Sequence, residues 1–503
     1  MLIGGTFLLK NFRLFLSIIF FLSFSIQYAA ASTYVDVEDV DIYNTLSLLE
    51  TEGVINDALL STKPLSRVEV VRLVNEAEIN AAGRSEFIKD LVQTLKQRVK
   101  PDDGNIKPVD SVYAAYVNTN ADVLAPAYGG EREKQQAFNA DNDGDLYDRG
   151  SNFRVGFTSR LEDLGPVSIY LNPEFRASDT TEDGVLKKGY GVLDFSWIDV
   201  VIGKDSQWWG PGYSGALLLS NNAEPLTMIK FTSPRPLALP WIFKYLGPFQ
   251  YDIFATRLND NSNRVPPSNL WGFRFDFKPL PIIEIGLEHT EQISGAQDLG
   301  TWADSVIGTA QHQGYDNTDG RAGYDLKLAL PFRLQPMQVY LEADAEDNVH
   351  LIPSQWAYLS GIYLPRILNF ERIGVRVEYA TTHMYNHPGP VWYTHVITGG
   401  YTYDDLVIGH HMGTDSEDLF EELSYHMPEI HTDLFLSYDQ EIHNISGPVL
   451  ERTKEFKIAG KRRIVENVDV TLSCGYGWVY NPGNVAGTTN NVYEVASEVR
   501  YWF

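Results

Sequence analysis

The sequence predicts a mainly β protein: a large antiparallel transmembrane β-barrel of about 18 strands, preceded by a small periplasmic α-helical domain. Three observations carry that prediction. Many segments alternate apolar and polar residues with a period of two, as strands with one dry and one wet face must. The stretch before them has helical spacing instead. The chain ends Val492-Tyr-Glu-Val-Ala-Ser-Glu-Val-Arg-Tyr-Trp-Phe503, with Tyr493, Val495, Val499, Tyr501 and Phe503 on one face. A hydrophobic edge strand is an aggregation hazard in a soluble protein, and a closed barrel removes the edge. This terminal strand, ending on Phe503, resembles those recognised by the outer-membrane barrel assembly machinery.

Three parts are expected: a signal peptide over 1–31, a periplasmic helical domain over 32–104 and an outer-membrane barrel over 105–503. Lys10 and Arg13 precede an apolar run from Leu14 to Ile26, and Ala29-Ala30-Ala31 supplies small residues before Ser32. That is a secretory signal with cleavage expected after Ala31. No later segment has the roughly 18 consecutive apolar residues of a membrane helix. The single cysteine, Cys474, cannot form an internal disulfide, so the fold is held without one.

In the helical region Ile42, Leu46 and Leu49 lie at helical spacing in a segment ending near Gly53. Ser66-Arg-Val-Glu69 is a capping box, opening a helix with Val68, Val71 and Leu73 in its apolar set. Phe87, Leu91, Leu95 and Val99 recur at spacing four, and Pro101-Asp-Asp-Gly104 ends the region. Alternation then takes over. Trp271-Gly-Phe273-Arg-Phe275-Asp-Phe277-Lys278 places aromatics on one face and charges on the other. Segments starting at Ile283, Tyr324, Met337, Ile373 and Val468 repeat the pattern. Pro331–Pro336 is a short turn, whereas Gln292–Gly320 and Asp344–Ser360 are long polar loops, the alternation expected of periplasmic turns and extracellular loops.

Sixty-six acidic against 40 basic residues give a net charge of −26. Phosphate backbones need basic surface, so nucleic acid is excluded as a partner. Broad attraction to an anionic polymer is disfavoured too, which leaves local patches to bind one.

One run breaks the alternation: Gln207-Trp-Trp-Gly-Pro-Gly-Tyr-Ser-Gly-Ala-Leu-Leu-Leu-Ser-Asn-Asn-Ala-Glu-Pro225. Strands near Val112–Val117, Phe153–Leu161, Val167–Arg176 and Val192–Ile202, counted out and back, deliver Gly203 to the periplasmic rim. A run of that length there must fold inward or dock on the helices. Gly210, Pro211 and Gly212 fix its backbone path, and Asn221-Asn222 can bond turn backbone. Trp208 and Trp209 offer flat faces for sugar C–H groups, or wedge an internal plug, or anchor at the membrane interface.

This run resembles the signature of the Wzi capsule assembly family. So does a second block, Tyr401-Thr-Tyr403 through Gly409-His410-His411-Met-Gly413-Thr-Asp415-Ser416. The resemblance implies a non-enzymatic outer-membrane barrel that associates with capsular or other surface polysaccharide and helps assemble or retain it. It also implies helices packed beneath the barrel. Its partners are then that polysaccharide and outer-membrane lipid. The alternative reading is a channel for solute passage. Candidate polysaccharide contacts on outer loops are Trp392, Tyr393, Tyr403, His410 and Asp415; Trp208 and Trp209 come second, since the strand count puts them at the opposite rim.

No catalytic residue, metal or cofactor is expected. Gly212-Tyr-Ser214-Gly-Ala216 misses the nucleophile-elbow pattern at Ala216 and lacks its strand-to-helix setting. Asn139-Ala-Asp141-Asn-Asp143-Gly144-Asp145 begins like a calcium loop, but Gly150 replaces the twelfth-position carboxylate, so a solvated acidic turn is expected. Eight of the 11 histidines fall between His383 and His443. His383 and His387 precede Pro388-Gly-Pro390, which breaks any helix, and His410 and His411 point apart if extended.

Overall fold

Alternation closes into a wall. In chain order its strands are β1 (Ile106–Thr119), β2 (Gly150–Leu161), β3 (Val167–Ala177), β4 (Glu182–Asp194), β5 (Asp199–Asp205), β6 (Leu226–Thr232), β7 (Pro248–Leu258), β8 (Ser268–Leu280) and β9 (Ile283–Ser294). They continue with β10 (Thr318–Leu330), β11 (Met337–Glu346), β12 (Gln355–Leu364), β13 (Ile373–Thr381), β14 (Glu417–Met427), β15 (Thr432–His443), β16 (Glu451–Val465), β17 (Val468–Tyr480) and β18 (Thr489–Trp502). Among the described residues these 18 form a closed antiparallel barrel, as expected. The computed structural model describes residues 31–99, 106–125, 127–128, 131–162, 164–258, 268–294, 318–346, 355–385, 391–394 and 400–503. The signal-peptide expectation, Ala31 excepted, lies outside the described residues, as do His387 and parts of both long loops.

Closure falls where the terminal strand predicts. β18 pairs with β1 from Ser111–Trp502 to Thr119–Glu494, and the Phe503 amide donates to the Asp110 carbonyl at 2.9 Å. Tyr493, Val495, Val499, Tyr501 and Phe503 all face outward and exposed, an apolar stripe suited to lipid. The opposite face of each strand carries the charge. On β8, Arg274, Asp276 and Lys278 point inward and are buried, and they are ion-paired within the lumen.

The helices are α1 (Val40–Thr51), α2 (Arg67–Asn80) and α3 (Glu86–Val99). Ser66 caps α2 by accepting from the Glu69 amide at 3.1 Å. Its buried face is Val70, Leu73, Val74 and Ala77; Val68, placed in the apolar set above, is exposed. The Glu69 carboxylate holds Arg72 (2.7 and 2.8 Å), and Glu69 is itself buried. That fixes the helix phase, with Val68 turned outward. Phe87, Leu91, Leu95 and Val99 bury as spaced.

This region is bolted to one end of the barrel. Glu50 of α1 ion-pairs with Lys278 and, at 3.0 Å, with Lys327. The Leu60 and Ser61 amides donate to Glu284 at 3.1 and 2.9 Å. Connections at this end include two-residue turns, 281–282 and 466–467, whereas the opposite end carries the long segments 120–149 and 382–416.

One strand assignment is corrected. Val192–Ile202 is not a single returning strand but the end of β4 and the start of β5, joined by a turn in which the Phe195 amide donates to the Ile198 carbonyl at 2.9 Å. Gly203 therefore lies partway along an outgoing strand, not at the helix-end rim. β5 and β6 are short, and the chain between them leaves the wall and enters the lumen.

Candidate functional site

Inside the barrel, Thr62-Lys63 pairs antiparallel with Trp208-Trp209, so the unusual run folds inward and meets the N-terminal segment. Gly210 has φ +125°, and a Cβ there would collide with the Glu342 carboxylate, so only glycine lets the chain pass. Trp209, Leu217 and Leu219 then join Trp392, Tyr393, Tyr401, Val407 and Met412 in one apolar cluster.

The two blocks carrying the family resemblance are a single packed unit. The Tyr393 hydroxyl donates to the Leu217 carbonyl and accepts from the His410 amide at 2.9 Å. The Tyr401 hydroxyl donates to the Leu218 carbonyl at 2.9 Å, and Asn222 Nδ2 to the Val407 carbonyl at 3.0 Å. Tyr393 and Tyr401 stack with centroids 5.6 Å apart, and the Arg321 guanidinium lies 4.1 Å above Tyr401.

Trp392, Tyr393, His410 and Asp415, expected on outer loops, are thereby placed inside, and Trp208 and Trp209 lie in the internal plug that is one reading of their run. Trp392, Tyr393, His410 and Trp209 are 0% exposed, and Trp208 and Asp415 are buried; Tyr403 is half-buried. Lys63 covers Trp208, its Nζ 4.6 Å from the indole centre. Asp415 holds His383 Nδ1 at 2.7 Å and the Ser446 amide at 2.8 Å. Trp392, Tyr393, Trp208 and Trp209 thus have their faces packed within the plug, and Tyr403 is the one of the aromatic candidates left half-exposed.

In the Asn139–Asp145 turn, expected to be solvated, Asp143 and Asp145 are buried and ion-paired, while Ala140 stays exposed. Asp143 ion-pairs with Lys188 at 2.6 Å, and Asp145 with Arg154 at 3.1 Å and Lys187 at 3.2 Å. The Asp143 amide donates to the Asn221 carbonyl at 2.7 Å, joining this turn to the 207–225 run.

His410 and His411 do not point apart, because a tight turn rather than a strand carries them; their ring centres lie 4.5 Å apart. His411 Nδ1 faces Glu441 at 2.5 Å and Nε2 faces the Ser214 carbonyl at 2.7 Å, so both nitrogens meet acceptors. Burial opposes its charge, but Glu441, Asp141 and Asp418 outweigh it and raise its pKa well above the usual value. Burial and His411 push His410 well below it. Burial lifts Asp141 to about 6 and Glu133 to about 7. The Ser214 hydroxyl donates to Glu378 at 2.6 Å, while His411 meets only its carbonyl.

Between this plug and the wall of β1, β2 and β14–β18 lies a cavity of about 1650 Å³. Sequence reasoning missed it, since only the folded-in segments define its inner side. Tyr113, Asn172, Glu174, Ser437, Thr453 and Arg500 are among the side chains lining it. Its walls reach Asn120, Asp122 and Asn490 at the loop end. Inward positions of alternating strands supply hydroxyls, amides and carboxylates, with Phe420 and Tyr213 as apolar faces.

Fold and interior together define a class: a membrane-spanning β-barrel filled on one side by its own inward-folded chain and hollow and polar on the other. The chain belongs to the Wzi capsule assembly family, whose sequence pattern matches residues 130–493 and so takes in both resembling blocks. It is 27% identical over 339 residues to an uncharacterized 55.8 kDa protein of the cps region of Klebsiella pneumoniae, covering 65% of this chain and 61% of that relative's length. The fold matches Escherichia coli Wzi with a TM-score of 0.73 at 20% identity, over 94% of this chain and 100% of the other. That protein is an outer-membrane, carbohydrate-binding β-barrel involved in group 1 capsule assembly.

Proposed function

We propose that this barrel sits in the outer membrane with its helices in the periplasm and holds a capsular or other surface polysaccharide at the cell surface without turning it over. The observation that carries the reading is the polar cavity, whose lining is mostly hydrogen-bonding side chains with a few aromatic faces and reaches the loop end. Neutral sugar hydroxyls suit such a lining, since they donate to carboxylates and accept from Arg and Asn. Acidic residues outnumber basic ones along it, which favours hydroxyl recognition over binding of a polyanion. Family membership supports the same reading.

The test is deletion of the gene in its host, followed by measurement of cell-attached against shed polysaccharide. Unchanged total with more in the medium is the expected result; unchanged retention overturns it. The channel reading rests on the cavity walls also reaching Phe503 and Asn467 at the helix end. A large steady single-channel current in a planar bilayer would favour it.

A further inference from the structure

We propose that the lumen wall opposite the cavity carries a divalent-cation site of calcium chemistry, built by Glu288, Glu342 and Asp344. Register brings the acids together in two adjacent rows. Glu288 of β9, Gly323 of β10 and Asp344 of β11 form one row, and Gly286, Asp325 and Glu342 form the next. Each row has a glycine where a side chain would block the convergence. A Cβ at 323 would overlap Asp344 Oδ1, and one at 286 would overlap Asp325 Oδ2.

The acids are buried: Glu288 is 3% exposed, and Glu342 and Asp344 are 0%. Arg274 neutralises part of the cluster, reaching Glu288 Oε2 at 2.6 Å, Asp276 at 2.7 Å and Asp325 Oδ2 at 2.7 Å. Among the described residues no cation pairs with Glu342 or Asp344. No donor from outside the cluster, among the described residues, reaches Glu288 Oε1, Glu342 Oε2 or either Asp344 oxygen; the Asp344 carboxyl meets only those of Glu288 and Glu342. Unpaired buried carboxylates are costly, so this wall needs either shared protons or a cation.

Ligand atoms of Glu288, Glu342 and Asp344 all lie within 4.8 Å of one another. That is twice a Ca–O distance of about 2.4 Å, the widest separation two ligands of one ion can have. The donors are all carboxylate oxygens, which selects a hard cation over zinc or copper. Glu342 Oε1 also accepts from the Leu217 amide at 2.6 Å, and Gly210 abuts the same carboxylate. A cation here therefore ties the 207–225 run to the wall.

The experiment uses the full barrel in detergent, freed of lipopolysaccharide because that lipid itself carries divalent cations. After EDTA washing, calcium per chain is measured by mass spectrometry and melting is followed with and without added Ca²⁺. Expected are one tightly held calcium, melting raised by Ca²⁺ more than by Mg²⁺ or Zn²⁺, and a calcium affinity reduced about tenfold or more in Asp344→Asn and Glu342→Gln. A calcium-free wild type whose melting ignores Ca²⁺ overturns the site and leaves shared protons. Unchanged calcium affinity in both variants overturns it too. Should either variant fail to fold, the metal content and Ca²⁺ response of the wild type decide.

Discussion

Lys63 lies opposite Trp208 in a two-residue ladder, with its ammonium nitrogen 4.6 Å over the indole ring. The helical region and the inward-folded run therefore share backbone hydrogen bonds and a cation–π contact deep in the lumen. Trp208→Ala removes a buried side chain and should cost about 3–5 kcal/mol. Limited proteolysis should then cut within residues 32–66 faster than in wild type, while the wall stays intact by circular dichroism. Equal cleavage in both would mean the ladder does not hold the N-terminal region.

Tyr393 joins the two family blocks through one hydroxyl. Tyr393→Phe keeps the ring but leaves the Leu217 carbonyl and the His410 amide without that partner. A cost of about 1–3 kcal/mol follows. Hydrogen exchange at the His410 amide should accelerate, with no change in the wall strands.

The plug should loosen as pH rises above the ordinary histidine range. Burial raises Glu133 to about 7, and the carboxylates around His411 outweigh its burial and raise its pKa. A raised folded pKa gives stability that is full below the unfolded value and lost as pH climbs through the folded one. His410 has the opposite shift, so its contribution varies only below about 6.5 and drops out of this window. Exchange protection at Gly413 and Thr414 should fall from about pH 6.5 to 8.5 through His411, whereas Glu133 loses its share mainly between about 4.5 and 7, so Glu133→Gln should flatten only the lower end of the profile. A flat wild-type profile would contradict the assignment.

Cys474 lies on the outward face of β17 between exposed Leu472 and Tyr476. In lipid vesicles a membrane-permeant, apolar maleimide should label it, and a charged one should not. In detergent both should react faster. Efficient labelling by the charged reagent in vesicles would move β17 out of the apolar belt.

The wall was legible because a lumen-and-lipid strand must alternate, and closure was legible in the residues before Phe503. What escaped follows from local chemistry. Asp194-Phe195-Ser196-Trp197-Ile198 continues the alternation through a turn carried by Ser196 at φ +74°, with neither glycine nor proline to mark it. Burial of Trp392 and Tyr393 escaped for another reason. Loop composition is the same whether a loop projects outward or folds in, and only partners such as Leu217, remote in sequence, decide which.

The run from Ser206 to Pro225 begins and ends on wall strands that pair with each other, β5 and β6. It has no free end to thread. It also sits inside a cylinder sealed by the last residues of the chain. It therefore enters either doubled over through an open mouth or while the sheet is still a ribbon, before β18 reaches β1. By either route the filling is moored to the wall at two neighbouring points and cannot be lost without opening the β5–β6 seam or unfolding in place.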